Sequence, residues 1–375
     1  MLRELFTPSE PFYFYPNPGN LGDIFIAEAT RQFFRREGLS FKEYDPDNPP
    51  TGDNKYTLVL GGGGLSNHWG YADIFAQHLT NSRVKKGIIL AHSFCDVDTF
   101  IKSLDERHTI VCREDASYSK CLALNPRSNI IRGDDMALLW KPGPPPTFNT
   151  DSRQNTEREE KEQKALLSQG WEKRVLTGVR NSTICFKNKK VAFILRTDKE
   201  KAVGYTSPYS YDISIAYSSS GRETKYTSLI VSTFAKALEY PDLVVTDRLH
   251  VSVMAYLLGK EVYLLDNDYG KLSGVYHQSL IGSPNVHLLE HGKLTPYLQQ
   301  AWEAHNSPSP SKQAIVQEPE YQFLSTISHL KNKYRKTLFI SKITFGKKRL
   351  HYLNKIDKLK KAIERCVENY KALQS

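Results

Sequence analysis

Arg248 and His250 stand where an apolar run, LVVT at 243–246, stops at Asp247 and an apolar helical pattern, HVSVMAYLLG, begins. Asp247 reads as an N-cap, which makes Arg248 the first helical residue and His250 the third. The run should deliver the pair to the edge of a sheet, where the helix start adds unsatisfied amides and positive potential. A guanidinium fork suits a carboxylate or a phosphate, and an imidazole beside it can pass a proton. The junction therefore reads as an anion receptor with a proton donor inside it. Arg196 closes another apolar run, VAFILR. It needs an acidic partner or a cleft holding an anion, since an unpaired charge is not buried. Lys271 falls on the loop after the next run, EVYLLD, on the same edge, as a second point charge for phosphate.

The first half carries its own candidates. In NPGNLGD, Asn17, Gly19, Asn20 and Gly22 form a turn, and Asp23 stands at a helix start, where an acid complements the dipole. Amides at such a turn can hold an anion or a sugar hydroxyl. Four glycines, 61–64, follow the run YTLVL directly. They let a ligand or a neighbouring backbone come close, but their spacing fits neither the dinucleotide fingerprint nor a P-loop. Asn20, Gly22, Gly62 and Gly63 are thus candidate ligand contacts. Trp69 and Tyr71 could stack on sugar faces, although a buried structural place suits each equally well. Arg113, after TIVC, and the stretch RGDDMALLW at 132–140 belong at the carboxyl edge of the same sheet, where ligands of open α/β sheets gather. HLLEH at 287–291 matches a zinc-peptidase spacing. The residues around it leave little room for the helix that such a site needs, so it reads as chance.

These residues need a frame that brings strand ends together. Apolar runs alternate with helical patterns along the chain, the signature of βαβ units around parallel sheets. The runs are apolar almost throughout, as when helices cover both faces. Prolines and then dense charge mark a break at about 141–174. The expected layout is a Rossmann-like domain over 1–150, a linker or surface insertion over 151–180, a second Rossmann-like domain over 181–320, and a basic helical segment over 321–375.

The chain has 375 residues, 39% hydrophobic and 25% charged, with a formal charge of +10. This is the make-up of a globular protein with more than one core. No apolar run approaches the ~20 residues of a membrane span, and the start of the chain lacks the apolar stretch of a signal peptide. A cytoplasmic enzyme is expected. The five cysteines lie scattered without a C-x-x-C pair, against disulfides and structural zinc. Much of the excess charge sits in the basic C-terminus, which reads as a solvated helix face or as a peripheral contact with an anionic lipid surface. No nucleic-acid motif accompanies it.

Together the pieces resemble the polysaccharide pyruvyl transferase family. They are Asn17, Gly19 and Gly22–Asp23, the glycines 61–64, Arg113 with Ser117, GDDMAL at 133–138, and TDRLH at 246–250 with Ala255, followed by Gly259 and Tyr269-x-Lys271. The resemblance covers about 17 to 280. It implies a glycosyltransferase-B-like architecture, two Rossmann-like domains facing a cleft. The implied donor is phosphoenolpyruvate, a co-substrate, with no other cofactor and no metal. Pyruvate would be attached as a ketal to two hydroxyls of a sugar or glycan acceptor, a lipid-linked one included, with release of phosphate. The resemblance also implicates Arg248, Leu249 and His250 in donor binding and catalysis.

The residues suit that chemistry. A donor with a carboxylate and a phosphate needs at least two cations, which Arg248, Arg196, Lys271 and Arg113 can supply. Protonating its methylene carbon needs an acid, for which His250 is the choice. A helix start disfavours imidazolium, and a bound phosphate would oppose that effect. Asp23 is the choice for the base, on the acceptor side with Asn20, Gly22, Gly62, Gly63 and Trp69. Two other readings stay open: a nucleotide-sugar glycosyltransferase on the same fold, and a non-catalytic anion- or carbohydrate-binding protein.

Overall fold

The computed structural model describes residues 2–66, 70–143, 170–197, 201–202, 204–219, 224–266, 271–289, 293–307, 355–362 and 364. Trp69, the stretch 144–169 and most of the basic C-terminus lie outside the described residues.

In chain order the first half forms β1 (Phe12–Tyr15), β2 (Gly19–Asn20), α1 (Leu21–Arg36), β3 (Phe41–Glu43), β4 (Tyr56–Leu60), β5 (Gly63–Ser66), α2 (Tyr71–Leu79), β6 (Val84–Cys95), α3 (Asp98–Ser103), β7 (His108–Cys112), α4 (Asp115–Leu124) and β8 (Asn129–Arg132). The second half forms α5 (Trp171–Asn181), β9 (Thr183–Phe186), β10 (Lys189–Ile194), β11 (Ser218–Ser219), α6 (Thr224–Leu238), β12 (Leu243–Thr246), α7 (Leu249–Leu257), β13 (Glu261–Leu265), α8 (Lys271–Val275), β14 (Val286–Leu289) and α9 (Pro296–Asn306).

The protein is α/β, with two sheets. The first runs β3-β1-β4-β6-β7-β8, with β5 beside β6, and its pairings are parallel. The second runs β14-β13-β12-β10-β9, parallel except where β9 meets β10. β4, β7 and β12 are buried along their whole length, which is why they read as unbroken apolar runs. Val286–Leu289 is a strand, so His287 does not sit on a helix.

Both sheets belong to one compact unit, residues 1–67, 71–206 and 210–305. Its main apolar core runs through both halves. α1 is the joint. Phe25 packs edge-on against Trp140 and Phe234, each ring centroid 5.9 Å away. The buried Glu28 accepts hydrogen bonds from Thr227 Oγ1 at 3.1 Å and Ser228 Oγ at 2.8 Å. A two-residue antiparallel ladder also ties β2 to β11, Asn20 facing Ser218.

Part of the expected linker is instead a packed helix. Trp171, Val175 and Val179 recur four apart on α5 and bury one face. The Trp171 indole N–H donates to the Ala216 carbonyl at 3.0 Å. Residues 68–70, 207–209 and 306–375 group as a second unit, whose described part is helical at 355–362. Among the described residues no helix is long and apolar enough to cross a membrane.

Candidate active site

The start of α7 differs in detail from the expected cap. Arg248, not Asp247, is the N-cap, and His250 is the second helical residue. The Arg248 side chain makes no cap, and the Thr246 hydroxyl accepts the Arg248 amide at 3.0 Å while donating to the Ile194 carbonyl at 2.6 Å. The Asp247 carboxylate turns away and accepts the amides of Arg196 at 2.7 Å and Ala202 at 3.0 Å, so it stitches the end of β10 to the end of β12. Burial pushes the Asp247 carboxyl up, against the pull of those amides.

Arg248 was expected to grip the donor. Instead its Nε and Nη2 donate to the two oxygens of Asp212, at 3.0 and 2.5 Å. Asp212 is 3% exposed and also accepts the Thr197 amide at 2.9 Å. A charge placed at a strand end inside the protein finds an acid, as desolvation demands. Leu249 buries its side chain in the core. Arg196 is half-buried with its amide on Asp247. Lys271 opens α8 rather than sitting in a loop, and the next amide, of Leu272, donates to Asp266 at 3.2 Å.

His250 comes within reach of the first half. Its Nε2 lies 3.5 Å from Asp135 Oδ2. Its Nδ1 lies over Gly22, where an added Cβ would sit 2.3 Å from that nitrogen. Glycine is required at 22 because the imidazole occupies the space of a side chain. Gly22→Ala should therefore displace His250 and lower activity by up to ~10²-fold, the cost of misplacing a reacting group by about 1 Å. Turnover assays beside circular dichroism would separate this effect from misfolding.

Asp135 is fixed from behind. It is fully buried, and Arg113 Nη1 donates to its Oδ2 at 2.6 Å while the Ala137 amide donates to its Oδ1 at 2.9 Å. Burial alone would raise its carboxyl; Arg113 and His250 outweigh that and hold it well below the usual carboxylate range. Arg113, expected at the donor, is thus 1% exposed and committed inward. Its Nε donates to Ser93 Oγ at 2.8 Å, Ser93 donates to Glu114 at 2.8 Å, and Ser117 donates to the other Glu114 oxygen.

Around the start of α1, Asn20 Oδ1 accepts the Gly22 amide at 2.8 Å and Asp23 Oδ2 accepts the Asn20 amide at 2.9 Å, a reciprocal cap. Asp23 Oδ1 faces Gly63, whose φ of +145° favours glycine and whose Cβ would fall 3.3 Å from that oxygen. Gly62 backs onto the Ala91 carbonyl, 2.7 Å from where its Cβ would be, so its role there is packing.

The structure thus brings Gly22, Asp23, Asn20, Gly63 and His250 together and adds two acids that sequence reasoning missed. Asp135 lies inside the quoted GDDMAL stretch, which was its signal. Asp212 lies in a Ser/Tyr-rich segment with no signal.

With this geometry in place, comparison with known proteins is informative. The family profile described as "Polysaccharide pyruvyl transferase" matches residues 20–269. The chain belongs to the polysaccharide pyruvyl transferase family. A curated relative from Bacillus subtilis (strain 168), named "Putative pyruvyl transferase EpsO", is 28% identical over 296 residues, covering 74% of this chain and 87% of that protein. A crystal structure of the uncharacterized protein KP1_0663 from Klebsiella pneumoniae subsp. pneumoniae NTUH-K2044 superposes with a TM-score of 0.57 at 24% identity, covering 77% of this chain and 95% of that one. That last likeness concerns the fold. The enzyme is a polysaccharide pyruvyltransferase, and the profile match takes in Asp23, Asp135, Arg248 and His250.

Proposed function

We propose that the enzyme takes pyruvate from phosphoenolpyruvate and closes it as a ketal across two hydroxyls of a sugar in a polysaccharide or its lipid-linked precursor. The reaction would run in the cytoplasm, in a glycosyltransferase-B-like cleft between the two Rossmann-like halves. The observation that carries this reading is His250, held between the buried carboxylate of Asp135 and the bare backbone of Gly22.

The steps balance as follows. Charged His250 gives its proton to the methylene carbon of the donor, and the enol carbon becomes oxocarbenium-like. One sugar hydroxyl adds there, and its proton passes to Asp23. The second hydroxyl forms the other C–O bond as the C–O bond to phosphate breaks, and inorganic phosphate leaves with the remaining proton. Asp135, 3.5 Å from Nε2, orients the imidazole for that transfer. Arg196 and Lys271 neutralise the carboxylate and phosphate, and Arg248, fixed by Asp212, adds a preorganised positive field.

The test is phosphate release from phosphoenolpyruvate with a panel of galactosides, glucosides and mannosides, run beside nucleotide release from sugar nucleotides. Acceptor-dependent phosphate release is the expected result. Nucleotide release without phosphate release would refute the donor assignment.

A further inference from the structure

We propose that His92 and Asn17 form the seat for the hydroxyls of the acceptor sugar, a proposal that rests on the acceptor being a sugar as read above. The ladder between β5 and β6 places Gly63 beside His92. On the side of Gly63 where a side chain would project, Asn17 Nδ2 lies 2.6 Å and Asp23 Oδ1 3.3 Å from the site of its absent Cβ. Asn17, Asp23 and Gly63 therefore meet at the carboxyl edge, with His92 on the neighbouring strand, next to the start of α1 over which His250 lies.

The unpartnered atoms there are acceptors. His92 has no exposed surface, and its Nδ1 sits 2.7 Å from the Leu90 carbonyl oxygen. A carbonyl only accepts, so Nδ1 carries the hydrogen. Burial pushes the ring down to about 4, so near neutral pH it carries a single proton, already placed on Nδ1. Nε2 is then a bare lone pair, and it has no hydrogen-bond partner. Asn17 is 4% exposed and its Oδ1 likewise has no hydrogen-bond partner. Asn17 Nδ2 adds a donor at Gly63; with the Asp23 carboxylate, the unmet demand of the edge is for donors to Nε2 of His92 and Oδ1 of Asn17.

Buried acceptors are normally satisfied. An anion such as phosphoenolpyruvate brings no donor and would be repelled by Asp23. A sugar hydroxyl brings one donor each, and two neighbouring hydroxyls can serve two acceptors. The first half therefore selects the polyol, while cations of the second half select the doubly acidic donor. His92 and Asn17 act as specificity-determining residues, choosing hydroxyl positions by where their lone pairs lie.

The experiment uses the full chain with the methyl glycosides of galactose, glucose and mannose, varying each sugar and phosphoenolpyruvate separately. His92→Leu is expected to raise the KM of the best glycoside about tenfold or more, the scale of losing a hydrogen bond to a buried acceptor. The KM of phosphoenolpyruvate should hold. His92→Gln, which returns an acceptor, should recover part of the sugar KM, and Asn17→Leu should act as His92→Leu does. An unchanged sugar KM in His92→Leu, or an equal rise for both substrates, overturns the proposal. Saturation-transfer NMR with the same glycosides separates the two readings. Wild-type binding that is lost in His92→Leu supports the hydroxyl seat even if phosphoenolpyruvate proves not to be the donor; no binding to the wild type, or equal binding to both, overturns it.

Discussion

Phosphate release from phosphoenolpyruvate is expected to fall by about 10²- to 10⁴-fold when His250 is replaced by glutamine, the usual contribution of a positioned acid. Glutamine keeps the length and polarity of the side chain and can still meet Asp135, so the fold should be kept. The loss should appear in kcat, with the KM of phosphoenolpyruvate little changed, because the proton is given in the transition state while the donor is held by cations. Residual activity within tenfold of wild type would remove His250 as the proton source and redirect attention to the other half of the site.

The second large effect belongs to Asp135, a positioning residue. Asp135→Asn keeps an oxygen for Arg113 but withdraws the negative charge beside His250. Turnover should drop on the order of 10³-fold, approaching the effect of neutralising a buried carboxylate that orients a catalytic imidazole. Asp135→Ala would in addition leave Arg113 charged and buried with its carboxylate partner gone, costing about 3–5 kcal/mol of stability. Turnover within tenfold of wild type, in a variant that melts as the wild type does, would make Asp135 a scaffold residue only.

Much of the frame could be read from the chain. β4, β7, β10 and β12 announce themselves as apolar runs because both of their faces are covered. α1 shows its acid-capped start in Asn20 and Asp23. The site was legible where one strand end carries its own chemistry, as at His250. It was not legible where two distant segments decide a charge's fate. Nothing around Arg248 says that Asp212, inside a Ser/Tyr-rich stretch, will close on its guanidinium, and nothing around Arg113 says that it will be buried against Asp135. A local pattern can show that a cation needs a partner; only the fold shows whether that partner is an acid or a ligand. The same limit explains α5, whose four-residue apolar repeat was masked by the charge-dense sequence before it.

The short ladder between β2 and β11 has a mechanical meaning. The segment that supplies Asp212 to Arg248 runs on into Ser218, which is stitched by main-chain bonds to Asn20, the residue that starts α1 under His250. The loop that fixes Arg248 is thus tied, through covalent chain and two rungs of backbone, to the helix start beneath His250. A change that displaces one end of the strap should therefore be felt at the other.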